Sequence, residues 1–164
     1  REEICFALLD KVVSQIEFEI GQIGFLLESY ADLLHKVQTH PPDLVQITAV
    51  ASVLHSFYNG LENVFLSVAK GIDTDVPTGA QWHRDLLHQM TRPTNQRPPV
   101  LTTETARQLA TFLAFRHFYR HSYSFFIEWD ELAKLVTPLE EMWKQVKGEL
   151  GSFVDRLRLN NPPD

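Results

Sequence analysis

Apolar residues recur at every third or fourth position through most of this chain, and that spacing fits one kind of local structure. In the first segment Leu9, Val12, Val13, Ile16, Ile20, Ile23, Leu27, Tyr30, Leu34 and Val37 follow it, which places them along one side of a helix. The pattern predicts one continuous helix from about Ile4 to Val37, roughly 50 Å long at the helical rise per residue. Gly21 and Gly24 lower its propensity and would let a neighbour approach closely. Pro41 and Pro42 stop it. Asp43 followed by Gln46 has the form of a capping box that opens a second helix. The stripe of that helix is Ile47, Val50, Leu54, Phe57, Leu61, Phe65 and Val68. Lys70-Gly71 reads as its end, a cation in the last turn followed by a glycine suited to a left-handed cap.

Beyond a Pro- and Gly-containing loop at 73–79, Trp82, His83, Leu86, Leu87 and Met90 predict a short third helix over Ala80 to Met90. The stretch Thr91 to Val100 is polar and proline-rich and reads as a loop. Thr102 or Thr103 is suited to cap a fourth helix that carries Leu109, Phe112, Leu113 and Arg116. Leu132, Leu135, Leu139, Met142, Val146, Leu150, Phe153 and Leu157 predict a fifth, with Pro138 expected to kink it or to mark its first turn. The tail from Asn160 to Pro163 ends it. With no strand-like alternation and no internal repeat, the expectation is an all-α, antiparallel bundle of about five helices, forming a single domain over 1–164.

The formal net charge of −6 argues against binding nucleic acid through bulk charge alone, while leaving room for a local basic pocket. The one cysteine, Cys5, supports neither a disulfide framework nor a thiolate zinc site and is read as a packing residue. No signal peptide pattern and no apolar run of about 18 residues is present, so the default expectation is a cytoplasmic protein with no membrane span.

One segment concentrates chemistry. From Arg116 to Tyr123 the chain holds two Arg, two His and two Tyr. Arg and His together suit an anionic phosphate ligand, and histidine is the side chain best matched to proton transfer near neutral pH. On a continuous helix Arg116, Arg120 and Tyr123 share a face, whereas His121 points roughly 140° away from Arg116. Either the helix is distorted there, or His121 meets Arg116 through a second copy of the chain. Taken singly, each of these side chains reads as surface or interface; the ordered set is what carries information.

That set reads Arg116, His117-Phe118-Tyr119-Arg120, His121, Ser122, Tyr123, and it resembles the Arg-(four residues)-His-x-Tyr signature of HepT-like proteins in the HEPN superfamily. His117 fills the polar place that follows the Arg in that superfamily. Gly60-Leu61-Glu62-Asn63 and Trp82-His83 before Leu86-Leu87 are similar to stretches of the same group, and the order and lengths of the predicted helices fit it along nearly the whole chain. The resemblance implies a helical bundle that dimerises and brings two motifs into one cleft. It implies a metal-independent ribonuclease toxin acting on RNA, with no cofactor and no metal. It also implies a minimal nucleotidyltransferase antitoxin that transfers AMP to the motif tyrosine. Carried onto this chain, Arg116 and His121 are the catalytic candidates, His117 and Arg120 supporting or phosphate-binding groups, and Tyr123 the site of AMPylation.

These residue types suit metal-free RNA cleavage, in which the ribose 2′-hydroxyl attacks the adjacent phosphate. A histidine moves the proton and an arginine holds the charge that builds on the phosphate oxygens. The other histidines, His35, His40, His55, His83 and His88, are scattered, and no carboxylate joins His83 and His88 at ligand spacing, so no metal site is expected. Glu62 and Asn63 flank an apolar stripe and read as supporting groups near the motif or as surface. No glycine-rich phosphate loop and no serine nucleophile elbow is present. Two further readings stand beside the nuclease: a non-catalytic HEPN module that binds, or is modified by, a partner nucleotidyltransferase, and a generic helical interaction domain.

Overall fold

The computed structural model describes residues 2–123 and 127–162, with side chains from Phe6 onward. Cys5 and the end of the tail, Pro163-Asp164, therefore lie outside the described side chains. Among the described residues the chain forms six α-helices and no strand. They are α1 (Glu2–Ser29), α2 (Ala31–Thr39), α3 (Leu44–Val68), α4 (Trp82–Gln89), α5 (Thr103–His121) and α6 (Trp129–Asn160). The all-α bundle expected from the periodicity is what the chain builds.

α3 is the hub. It touches all five other helices, and its buried residues run around most of its circumference: Val50, Val53, Leu54, Phe57, Tyr58, Leu61, Val64, Phe65 and Val68. A helix apolar nearly all round is one that neighbours enclose. Phe57 sits edge-on to Phe112 of α5 and to Trp143 of α6, with ring centroids 5.5 and 6.2 Å apart. The expected capping box is present: the Asp43 carboxylate accepts from Gln46 N at 2.8 Å, and the Gln46 side chain accepts from Asp43 N at 3.0 Å.

Two expectations about the helices need correction, and a third is narrowed. The first helix is not continuous to Val37. It breaks at Tyr30 (φ −107°, ψ 12°), one residue after the Ser29 hydroxyl donates to the Phe25 carbonyl at 2.7 Å, a back-bond that bends helices. The break lets α2 pack on α6. Next, α3 does not end on a left-handed Gly71. It runs into a π-helical turn, Ala69–Asp73, and the left-handed residue is Thr74 (φ 52°). Gly71 serves close packing instead: a Cβ there would collide with the Val12 side chain of α1. The glycines that admit a neighbour are thus Gly71 and Gly60, where a Cβ would stand 2.7 Å from Ile23 Cγ1; Gly21 and Gly24 have nothing within 4 Å. Finally, of the two places open to Pro138 the first turn is excluded: it lies well inside α6, with helix on both sides.

The proline-rich loop after α4 is fixed by one buried side chain. The Arg97 side chain is fully buried, and its Nε and Nη2 donate to the two oxygens of Asp73 at 2.6 and 2.7 Å. It also donates to the carbonyls of Gln89, Arg92 and Pro98. Gln89 adds a bond to Asp73 at 2.8 Å. This knot fastens both the end of α4 and the loop to the turn below α3. It thereby sets where α4 presents its other side chains, a placement that matters for the site.

Candidate functional site: a buried polar seam between three helices

Three polar residues of α3, His55, Asn59 and Glu62, are spaced by four and three positions and so share one face. α5 packs against that face. Arg116, mid-way along the last turns of α5, points into the seam and is only 9% exposed. Its Nε donates to Asn59 Oδ1 at 2.7 Å, and Nη2 lies 3.3 Å from Glu62 Oε1. The second oxygen of Glu62 meets His83 Nδ1 of α4 at 2.7 Å. One carboxylate thus joins residues from α4 and α5. Burying an arginine and a glutamate is costly unless each is paired and hydrogen-bonded, and here each holds the other in place.

The seam continues with a definite proton order. Because Asn59 Oδ1 accepts from Arg116, the Asn59 amide nitrogen donates to His55 Nε2, 3.1 Å away. An accepting Nε2 requires a neutral ring with its hydrogen on Nδ1. Burial, then the charges of Arg116 and Arg120, lower the pKa of His55, in agreement with that state. His55 Nδ1 is itself buried and has no partner among the described residues. The Tyr119 ring of α5 packs on His55 at a centroid distance of 4.8 Å. Beneath Glu62 lies Tyr58, wholly buried, its hydroxyl also unpartnered among the described residues. Burial, reinforced by the Glu62 carboxylate, raises its pKa, so it stays a neutral phenol.

The rest of the motif lies outside the seam. His117, Arg120 and His121 are exposed on the last turns of α5, and the His117 and His121 rings stand 4.7 Å apart. α5 stays helical through His121 and ends at Ser122 in extended conformation (φ −125°, ψ 152°). Tyr123 follows the helix instead of sharing its face with Arg116, and is 72% exposed. α5 is therefore helical from Arg116 through His121, and within one chain no contact among the described residues joins these two.

In the sequence Arg116 stands out through its motif, Glu62 fits a supporting group or surface alike, His55 and His83 look scattered, and nothing marks Asn59. The signal that finds them is the 55, 59, 62 spacing, a polar stripe beside the apolar one on the hub helix. Asn63, weighed together with Glu62, is exposed and donates to Glu19 of α1 at 3.2 Å, away from Arg116. No group of three His, Cys, Asp or Glu able to hold a metal occurs among the described residues.

Comparison with known families bears on this seam. The family model described as HepT-like protein matches residues 49–157, which include all of α4 and α5 and every residue of the seam. The chain belongs to the HepT-like family. This places it in the HEPN superfamily, as the Arg116 to Tyr123 pattern implied. No curated protein and no solved structure matches the chain. The HepT-like match covers about two thirds of its length and begins within α3. None of the described helices is long and apolar enough to cross a membrane.

Proposed function

We propose that this HepT-like chain is a metal-independent endoribonuclease toxin that cleaves RNA at a cleft between two copies. In this reading an antitoxin nucleotidyltransferase silences it by placing AMP on Tyr123. The observation that carries the reading is the division of the motif. Arg116 is locked into the bundle by Asn59 and Glu62, while His117, Arg120, His121 and Tyr123 stand exposed at one helix end. A fixed guanidinium at the base of an exposed basic and aromatic tip suits a phosphodiester gripped from two sides.

His121 supplies proton transfer and Arg116 offsets the charge that develops on the phosphate. The hydrogen bond of Arg116 to Asn59 uses Nε and its contact with Glu62 is made through Nη2, and in this reading Nη1 meets the phosphate. On a regular helix Arg116 and His121 face apart, and the second copy supplies the missing half. An AMP group on Tyr123, a residue 72% exposed, would add bulk and negative charge near the end of α5, excluding RNA by shape and by charge.

The test is cleavage by two variants, alone and mixed. Arg116→Ala and His121→Ala are each expected to lose about 10²–10⁴-fold in rate, the usual worth of a positioned acid–base or charge-stabilising group. Mixing the two restores part of the activity if one chain's Arg116 works with the other's His121. Activity in both single variants equal to wild type defeats the reading.

The runner-up is a non-catalytic module that its transferase partner binds or modifies. The net charge of −6 and the engagement of Arg116 by Glu62 favour it. It predicts AMP transfer to Tyr123 with no RNA cleavage by the unmodified protein.

A further inference from the structure

The cleavage chemistry requires two proton movements. A proton leaves the attacking 2′-hydroxyl, and a proton reaches the 5′-oxygen as it departs. His121 can serve one of these at a time. The seam contains a second histidine arranged for the other, outside the motif and on a different helix.

His83 has its ring restrained twice. Nδ1 lies 2.7 Å from Glu62 Oε2, and the Trp82 ring stacks against it with centroids 3.5 Å apart and planes 29° apart. A carboxylate accepting from Nδ1 fixes the hydrogen there and leaves the lone pair on Nε2. Nε2 has no partner among the described residues, and the side chain is 25% exposed, so the basic nitrogen is the open edge of an otherwise fixed ring. The same Glu62 carboxylate holds Arg116 through its other oxygen. The base and the phosphate-holding cation are therefore both attached to one buried group, and the Arg97–Asp73 knot at the far end of α4 keeps them there.

We infer that His83 is the general base of this site, with Glu62 as the positioning residue that orients both His83 and Arg116. The inference rests on the ribonuclease reading above. In the step it describes, His83 Nε2 removes the 2′-hydroxyl proton as the 2′-oxygen forms its bond to phosphorus. The bond from phosphorus to the 5′-oxygen breaks, and that oxygen takes a proton from the His121 imidazolium. The products are a 2′,3′-cyclic phosphate and a 5′-hydroxyl. The substrate class is RNA with a free 2′-hydroxyl at the cleaved position.

The experiment compares wild type, His83→Ala and His83→Asn on a labelled RNA, with and without added imidazole. His83→Asn keeps a donor toward Glu62 and removes the basic nitrogen, so it tests chemistry in a folded protein. Both variants are expected to fall at least about 100-fold, and imidazole is expected to restore His83→Ala. Wild-type rates in His83→Asn, or a loss in His83→Ala that imidazole leaves unchanged, overturn the base assignment while wild-type cleavage leaves the nuclease reading standing. No cleavage by wild type overturns both. Nitrogen NMR of the ring gives an answer independent of RNA: the account expects hydrogen on Nδ1 at neutral pH in wild type, and a ring carrying it on Nε2 overturns the inference.

Discussion

At the scale of single residues, the hydrogen bonds of the seam set which state His55 holds. His55 must stay neutral, because Asn59 donates to its Nε2 while accepting from Arg116. Its pKa is lowered from 6.5 by burial and by the cations Arg116 and Arg120. The unfolded chain therefore binds more protons than the folded one over the window below pH 6.5, and stability falls as pH falls through that window. We expect the thermal midpoint of wild type to drop as pH is lowered from 7 toward the depressed folded pKa, and His55→Gln to remove part of that dependence. An unchanged slope in the variant would remove His55 as its source. Glu62 carries the larger load. Glu62→Ala leaves Arg116 buried without its carboxylate and is expected to cost about 3–5 kcal/mol, read from urea unfolding. Asp43→Ala at the exposed cap of α3 should cost nearer 1 kcal/mol in the same assay.

At the scale of elements, apolar spacing predicted most helices well because burial is periodic. α3, α4, α5 and α6 lie close to where their stripes and caps put them; Asp43 was legible as a cap, and of the two candidates Thr102 and Thr103 it is Thr102 that caps α5. Spacing is blind to whatever depends on a distant partner. The break at Tyr30 answers to α2 docking on α6 and to a serine hydroxyl on its own backbone, and the apolar stripe passes through it unbroken. Gly71 looked like a cap because its role, making room for Val12, lies about sixty residues away in sequence. The Arg97–Asp73 pair was equally invisible: in the sequence Arg97 is one cation in a polar, proline-rich loop, and its complete burial comes from folding that loop back under α3. Arg97→Ala should therefore act far above the usual loop substitution, lowering stability by about 3–5 kcal/mol. A urea midpoint within error of wild type would show that the loop holds itself.

At the scale of the whole molecule, the motif was readable in the sequence, and its environment was not. Arg116 to Tyr123 is a local string; Asn59, Glu62, His55 and His83 join it only because α3, α4 and α5 meet at one seam. The helical end of α5 removes one of the two geometries open at the outset, a distortion within one chain. With no distortion to turn His121 toward Arg116, the proposed nuclease needs a second copy, and sedimentation at micromolar concentration is expected to show two chains per particle. A monomer with full activity would contradict the shared cleft. The central claim, that these residues cut RNA without a metal, is tested most directly by incubating labelled RNA in EDTA with wild type and His121→Ala, after mass spectrometry has shown the wild type free of AMP. The account predicts cleavage by wild type alone, leaving 2′,3′-cyclic phosphate ends. Intact RNA with unmodified wild type, across substrates of varied sequence and structure, would contradict it.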